Sequence, residues 1–341
     1  MIVPSRDREL VIMIGHRRLL ALAAAAALAS ALSGAAAAQD WPNRPVTMVV
    51  PYAAGGPVDT VGRIMAARLS ELLGQQVVIE NVGGAGGMTG SSRVAKAAPD
   101  GYTFLLGGLA VLAQVPNLYR RPLYNPTTDF APVALFADSA RILITRKDFP
   151  ADTLPAFMAY AKANQARMQF GSAGGGTGMH ICAVLLNAIM GTDITHVPYR
   201  GSAPAMQDMI GGRIDFMCDQ ISTAFPQIQS GTVKAIATLG PARPSVLPDL
   251  PTAQELGLGD LDCSTWSAFV FPPGTPPPLV ERLAKATSEA VDTPAVRERF
   301  ESLGVTVAPP ERRTPDYLAQ FIPRELEKWA KPMRASGVSA D

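Results

Sequence analysis

Three short glycine-containing turns, PYAAGGPVDT (51–60), GSAGGGTG (171–178) and YRGSAP (199–204), each stand where a hydrophobic run gives way to a helical pattern. The chemistry such a junction offers is anion capture, because turn N–H groups and the open first turn of a helix converge on one point. Gly55 and Gly56 permit positive φ and close approach of a ligand, and Pro57 suits a first helical position, where no N–H is missed. Asp59 is placed to cap that helix. In the third stretch Gly201 loosens the turn, Ser202 adds a donor and Arg200 offers a bidentate contact to a carboxylate. Any one loop is open to three readings: a phosphate site, a carboxylate site, or a tight connection with no ligand. Recurrence of the device in two parts of the chain favours a small ligand with carboxylates at both ends.

Other chemistries lack their residues. GSAGGGTG has no Lys before its Thr, as a P-loop requires, and GGAGGMTG does not fit G-x-G-x-x-G, so nucleotide binding is disfavoured. There is no G-x-S-x-G elbow and no H-E-x-x-H zinc site, and no cofactor or metal is expected. Of the three histidines, His180 falls in the first turn of a helix and can face a cleft, whereas His196 lies in a strand as core or surface. Asp215 and Asp219 alternate along RIDFMCD, and Asp219, at the strand end, is the better cleft candidate. Catalysis by these groups is not expected.

The elements that must position these residues alternate. VTMVV (46–50) reads as a buried strand, and the helix after it carries Val61, Ile64, Met65, Leu69 and Leu72 on one face before Gly74 stops it. QVVIE, a second Gly-rich turn NVGGAGGMTG, a short helix in SSRVAKAA and the strand YTFLLGG complete a β-α-β-α-β unit. In a parallel sheet of that kind Tyr52, Asn81 and Gly107 emerge at the carboxyl ends of strands, where open α/β folds bind ligands. RILITRK begins a second alternating unit, expected to be another parallel set, that runs through MQF, ITHVPY, RIDFMCD and VKAIATLG. The charged amphipathic segments after residue 276 read as helices without further strands. If they pack back on the first unit, the chain crosses twice, near residues 140 and 262, in the plan of a hinged two-lobed receptor.

Arg17 and Arg18, the apolar LLALAAAAALASALSG and the small-residue AAAA have the order of a secretory leader, with the cut expected after Ala38 and an exported, periplasmic product. Its removal takes four of the 30 basic and two of the 29 acidic residues and leaves net −1, with no basic excess to suggest nucleic acid. Residues 39–341 are enough for two domains: 39–140 with 262–341, and 141–261. Cys182, Cys218 and Cys263 show no C-x-x-C spacing. A Cys182–Cys218 bridge is one reading and three buried free thiols the other.

The ordered set PYAAGGPVDTVGR, NVGGAGGMTG, AAPDGYTFL, FGSAGGGTGMH, VPYRGSAPAMQDMIGG, LPTAQELG and WSAFVFPPGTP resembles the Bug family, periplasmic receptors of tripartite tricarboxylate transporters, from Trp41 to Val338. The resemblance implies an α/β, two-lobed type II periplasmic-binding-protein fold with a hinged cleft, closing on a small organic carboxylate. It also implies delivery of the ligand to a membrane partner complex; one large and one small subunit and a monomeric receptor are expected, the alternative being a receptor of the same fold that signals to a sensor protein. Carried over by position, Tyr52, Ala53, Gly55, Gly56 and Asp59 come from the first loop. Ser172, Gly176, Thr177, His180, Tyr199 and Gly201 come from the second lobe. Asn81, Arg200 and Asp219 join them from the reading of the residues themselves. The first loop departs from the frequent Phe-x-Pro-Gly-Gly, and Val61-Gly62 stands before Arg63 where an alanine is commoner, which leaves the ligand open among amino acids, citrate-like acids, aromatic acids and neutral amides.

Overall fold

The computed structural model describes residues 41–259 and 261–335; the expected leader and its cut after Ala38 lie outside them. Among the described residues, eleven strands make two sheets. The first has the order β11-β4-β10-β3-β1-β2, from β1 (Val46–Val50), β2 (Val77–Asn81), β3 (Thr103–Gly108), β4 (Ala131–Ser139), β10 (Thr265–Phe271) and β11 (Val305–Val307). The second has the order β7-β6-β8-β5-β9, from β5 (Arg141–Arg146), β6 (Gln169–Ser172), β7 (Thr195–Pro198), β8 (Phe216–Gln220) and β9 (Val233–Thr238).

The central strands of the first sheet are buried on both faces and divide their side chains between two cores. Met48, Val50, Phe104, Leu106, Phe269 and Phe271 face one core, whereas Val49, Leu105, Ala268 and Val270 face the other. Helix α1 (Pro57–Leu73) covers the first core with Val61, Met65 and Leu69, and Gly74 in the left-handed region (φ 71°) ends it. Helix α2 (Met88–Ala95) lies on the opposite core. The second sheet carries α3 (Leu154–Asn164), α4 (Gly178–Met190), α5 (Ser202–Ile210) and α6 (Ile221–Gln229). The C-terminal helices α7 (Pro277–Asp292), α8 (Pro294–Glu301) and α9 (Pro315–Ala335) return to the first sheet, where α7 and α9 both contact β4.

Several expectations are corrected. The second sheet is not a wholly parallel set: β5 runs antiparallel to β8 and β9. It arrives from β4 across the single residue Ala140, so it starts at the edge where β6, β7 and β8 end. The segment after residue 276 does contain a strand, β11, a three-residue edge too short to show any period. Strands β4 and β10 and helix α6 were not distinguished either, because β4 and β10 are buried on both faces and do not alternate. Both cysteine readings are overturned as well, since Cys182 on α4 is bonded to Cys263 with Cα atoms 5.7 Å apart, and Cys218 is the buried free thiol. The physical reason is tertiary. The Cys263 N–H donates to Leu239 O at 2.7 Å, which lays the return segment between β9 and β10 beside α4.

Candidate functional site

A cavity of about 660 Å³ lies between the facing edges of the two sheets. One wall is the loop after β1, the Gly83–Gly87 loop after β2 and Gly107–Ala110 at the end of β3; the other is Ala173–Gly175 and Thr177–Met179 after β6, Tyr199–Ser202 after β7 and Gln220. Arg141 and Thr265–Ser267, where the chain crosses between sheets, close the bottom. The junctions after β1, β2, β3, β6, β7 and β8 therefore turn toward the same space.

The first loop is held from behind. Asp59 is 2% exposed and accepts from Gly55 N (2.8 Å), Arg63 Nε (2.8 Å) and Asn81 Nδ2 (2.9 Å). Burial alone would raise its pKa, but the bonds from Arg63, Gly55 and Asn81 outweigh it and hold the carboxyl below the usual range. Asn81 also donates to Tyr52 O at 3.1 Å, so one amide ties two loops together. Asp59 is thus neither a side-chain cap, Gly56 being the N-cap, nor a lining residue.

The loop after β6 is held in a similar way. Ser172 Oγ accepts from Gly174 N at 3.1 Å and meets His196 Nε2 at 2.6 Å, beneath the loop. Gly176 N donates to His180 Nδ1 at 3.1 Å, which puts the ring proton of neutral His180 on Nε2. The two imidazoles stack with centroids 4.1 Å apart, and Phe170 stacks on His196 at 4.8 Å. Burial lowers both pKa values, with His180 adding to the effect on His196, which falls to about 4. On the next loop Tyr199 Oη donates to Asp208 Oδ2 at 2.8 Å; burial and that carboxylate push its pKa up to about 12.

Of the residues expected at the site, Tyr52, Ala53, Gly56, Asn81, Thr177, Tyr199, Arg200 and Gly201 line the cavity. Gly55, Asp59, Ser172, Gly176, His180 and Asp219 do not: the first five brace or shape the loops, and Asp219 is fully buried behind the wall. Its carboxylate accepts from Gln220 N (2.9 Å) and Thr223 Oγ1 (2.7 Å), and burial, opposed by those bonds and by Arg141, raises its pKa to about 6. Gln220, one residue on, reaches the cavity instead.

Sequence reasoning finds the Gly-rich turn NVGGAGGMTG but does not place its Gly83–Gly87 loop at the site, and it misses Arg141. Arg141 is only 5% exposed and lines the cavity. Its one signal was a charged residue opening an otherwise apolar strand, RILIT. The loop had a plainer signal, four glycines in five residues, of which Gly84, Gly86 and Gly87 adopt φ of 124°, 65° and 100°.

The walls touch above the cavity. A Cβ on Gly86 would stand 2.9 Å from Gly176 O, one on Gly56 would stand 3.3 Å from Ser202 Oγ, and one on Gly201 would stand 3.0 Å from Ala53 Cβ. The rims of the cleft thus approach closely, backbone against backbone at Gly86 and Gly176 and through the side chains of Ser202 and Ala53 elsewhere. Among the described residues, no group of three His, Cys, Asp or Glu is placed to hold a metal, and no helix is long and apolar enough to cross a membrane.

Residues 61–338 match the family model described as tripartite tricarboxylate transporter family receptor. A protein from the TAR-I ttuE-ttuC' intergenic region of Agrobacterium vitis is 44% identical over 310 residues, 91% of this chain and 89% of the relative. The periplasmic binding protein BugD superposes with a TM-score of 0.85 at 39% identity, covering 88% of this chain and 99% of its own. MatC from Rhodopseudomonas palustris with bound malate superposes at 0.83 and 40% identity, covering 86% of this chain and all of its own.

Proposed function

The chain belongs to the tripartite tricarboxylate transporter receptor family, and on that premise we propose that its cleft captures a small organic carboxylate in the periplasm and hands it to a tripartite secondary transporter. The single observation that carries the reading is that Gly-rich loops from both sheets turn toward one cavity of about 660 Å³ and meet across it. Backbone N–H groups at the starts of α1, α4 and α5 suit an anion, and a space of that size suits a small acid held on both sides. MatC, of the same fold, holds malate.

In this reading the lobes are 39–140 with 262–341, and 141–261, and they hinge where β4 passes to β5 and where the chain returns to β10. The bracing residues Asp59, Ser172 and His180 keep the donor loops in place, and the lining residues meet the ligand. The role is capture and delivery without chemical change.

Thermal unfolding of the purified protein against di- and tricarboxylates, amino acids, aromatic acids and neutral amides tests this. A ligand at a hundredfold its Kd is expected to add about 2.7 kcal/mol to stability. A shift with one or two acids and none with amides is the expected result. A response confined to neutral compounds would refute the carboxylate assignment.

A further inference from the structure

Two guanidinium groups line the cleft, Arg200 and Arg141, and they are not alike. Arg200 is exposed on its loop, whereas Arg141 is 5% exposed at the bottom of the cavity. The only hydrogen bond the Arg141 side chain makes among the described residues is a long one, Nη1 to Cys218 O at 3.4 Å. A guanidinium carries five N–H donors, and taking one out of bulk water is costly unless an anion joins it.

The surroundings increase that cost. A Cβ on Gly178 would stand 2.2 Å from Arg141 Nη2, so the guanidinium lies directly against the first residue of α4. That helix is thirteen residues long, and Thr177, its N-cap, makes no side-chain capping bond. The positive end of the helix dipole and a buried cation therefore converge on the same part of the cleft, an arrangement that repels itself when empty and is relieved by an anion between them. The acidic neighbour does not supply that anion. Asp219 is close enough to influence Arg141, yet its oxygens are taken by Gln220 N and Thr223 Oγ1, and the two residues form no ion pair. Ser202, at the start of α5, is a further unfilled group: it is 3% exposed and its Oγ has no partner.

We infer that a carboxylate of the ligand pairs directly with Arg141 over the first turn of α4, making Arg141 the residue that selects ionised acids over their amides. This rests on the reading of the cleft as a carboxylate site. Asp219 partly balances the guanidinium in the empty cleft and competes with the ligand's charge. Gly178 is required because a side chain there would occupy the place of the guanidinium.

The test is calorimetric titration of the wild-type protein, Arg141→Gln, Arg141→Lys and Asp219→Asn with malate, with the C3 to C8 dicarboxylates and citrate, and with the matching monoamides. Arg141→Gln is expected to weaken the preferred acid on the order of 100-fold and to level the difference between acid and amide. Arg141→Lys falls between, because it keeps the charge and loses the planar fork. Asp219→Asn tightens acid binding, since the guanidinium is then unopposed. The melting temperature of ligand-free Arg141→Gln is expected to equal or exceed that of the wild type, a result that a purely structural arginine would not produce. Arg141→Gln binding the acid within threefold of the wild type overturns the inference alone. A wild-type protein that binds none of the acids overturns the carboxylate reading and this inference with it. Should Arg141→Gln not fold, looser acid binding by Asp219→Asn, or unchanged binding by Arg141→Lys, is the refuting result.

Discussion

Replacing Gly86 by alanine separates closure of the cleft from stability of the fold. The new Cβ would stand 2.9 Å from Gly176 O and 3.0 Å from Gly176 C, both backbone atoms that cannot swing aside. The rims would have to part by roughly half an ångström to restore ordinary contact, at an over-packing cost of about 1–3 kcal/mol. That cost exists only when the rims meet. A second cost, about 1–2 kcal/mol for a side chain at φ +65°, is local to the loop and is the same in open and closed forms, so it cancels from affinity. The closed, ligand-holding form is thereby disfavoured by the first cost alone, and affinity for the preferred acid falls by about 5- to 150-fold. Gly191→Ala is the control: it has the same φ of +65° at the end of α4, and a Cβ there meets nothing within 4 Å. It is expected to lose stability by a similar local amount with affinity unchanged. Calorimetric titration gives the affinities, urea unfolding the stabilities, and small-angle scattering the closure. Gly86→Ala binding the acid as tightly as Gly191→Ala would refute the reasoning, since the rim contact would then have no part in holding ligand.

The Cys182–Cys263 bridge closes a sequence separation of 81, for which loop entropy predicts up to about 4.5 kcal/mol of stability. Reductant, or Cys182→Ala with Cys263→Ala, should lower the urea midpoint accordingly, and an unmoved midpoint contradicts the assignment. His196 has its pKa lowered from 6.5 to about 4 by burial and by His180, so the unfolded chain takes up the proton first as pH falls. The associated stability is full above pH 6.5 and is lost as pH falls toward 4; the gap is worth about 3 kcal/mol, or about 2 after allowance for water reaching the ring. Asp219, raised from 3.8 to about 6, works in the opposite sense over much of that window, so the difference between wild type and His196→Gln is the measure. No difference in their pH slopes between 6.5 and 4 would refute the buried-imidazole account.

Much of the fold was legible because it is local. A buried run, a glycine turn and a helix with one apolar face follow from neighbours in the chain, and so β1, α1, β2, β3, α4 and the loops around Tyr52, Thr177 and Gly201 were all readable. The clustering of those loops also followed, since parallel strands bring their carboxyl ends to one edge. What was not readable depends on where distant segments meet. Asp59 and Asp219 carry the right chemistry for a site, but whether a carboxylate faces a cleft or a neighbouring N–H is decided by packing.

The same division separates the two arginines. Arg200 follows a strand and belongs to a donor-rich loop, which its sequence neighbours determine. Arg141 looks like the polar start of an apolar strand, and nothing adjacent to it says otherwise. Its place arises because β4 passes into β5 within one residue at the cleft, and because Gly178, 37 positions away, leaves room for a guanidinium at the mouth of α4. The partner of Cys182 has the same origin, since the return segment, held to Leu239, is what brings Cys263 beside α4. Sequence alone determined that glycine loops end the strands and open the helices, because backbone conformation is a short-range property. Tertiary structure decided which charge stands inside the cleft and which thiols meet, because burial and encounter are set by chain crossings that no local pattern records.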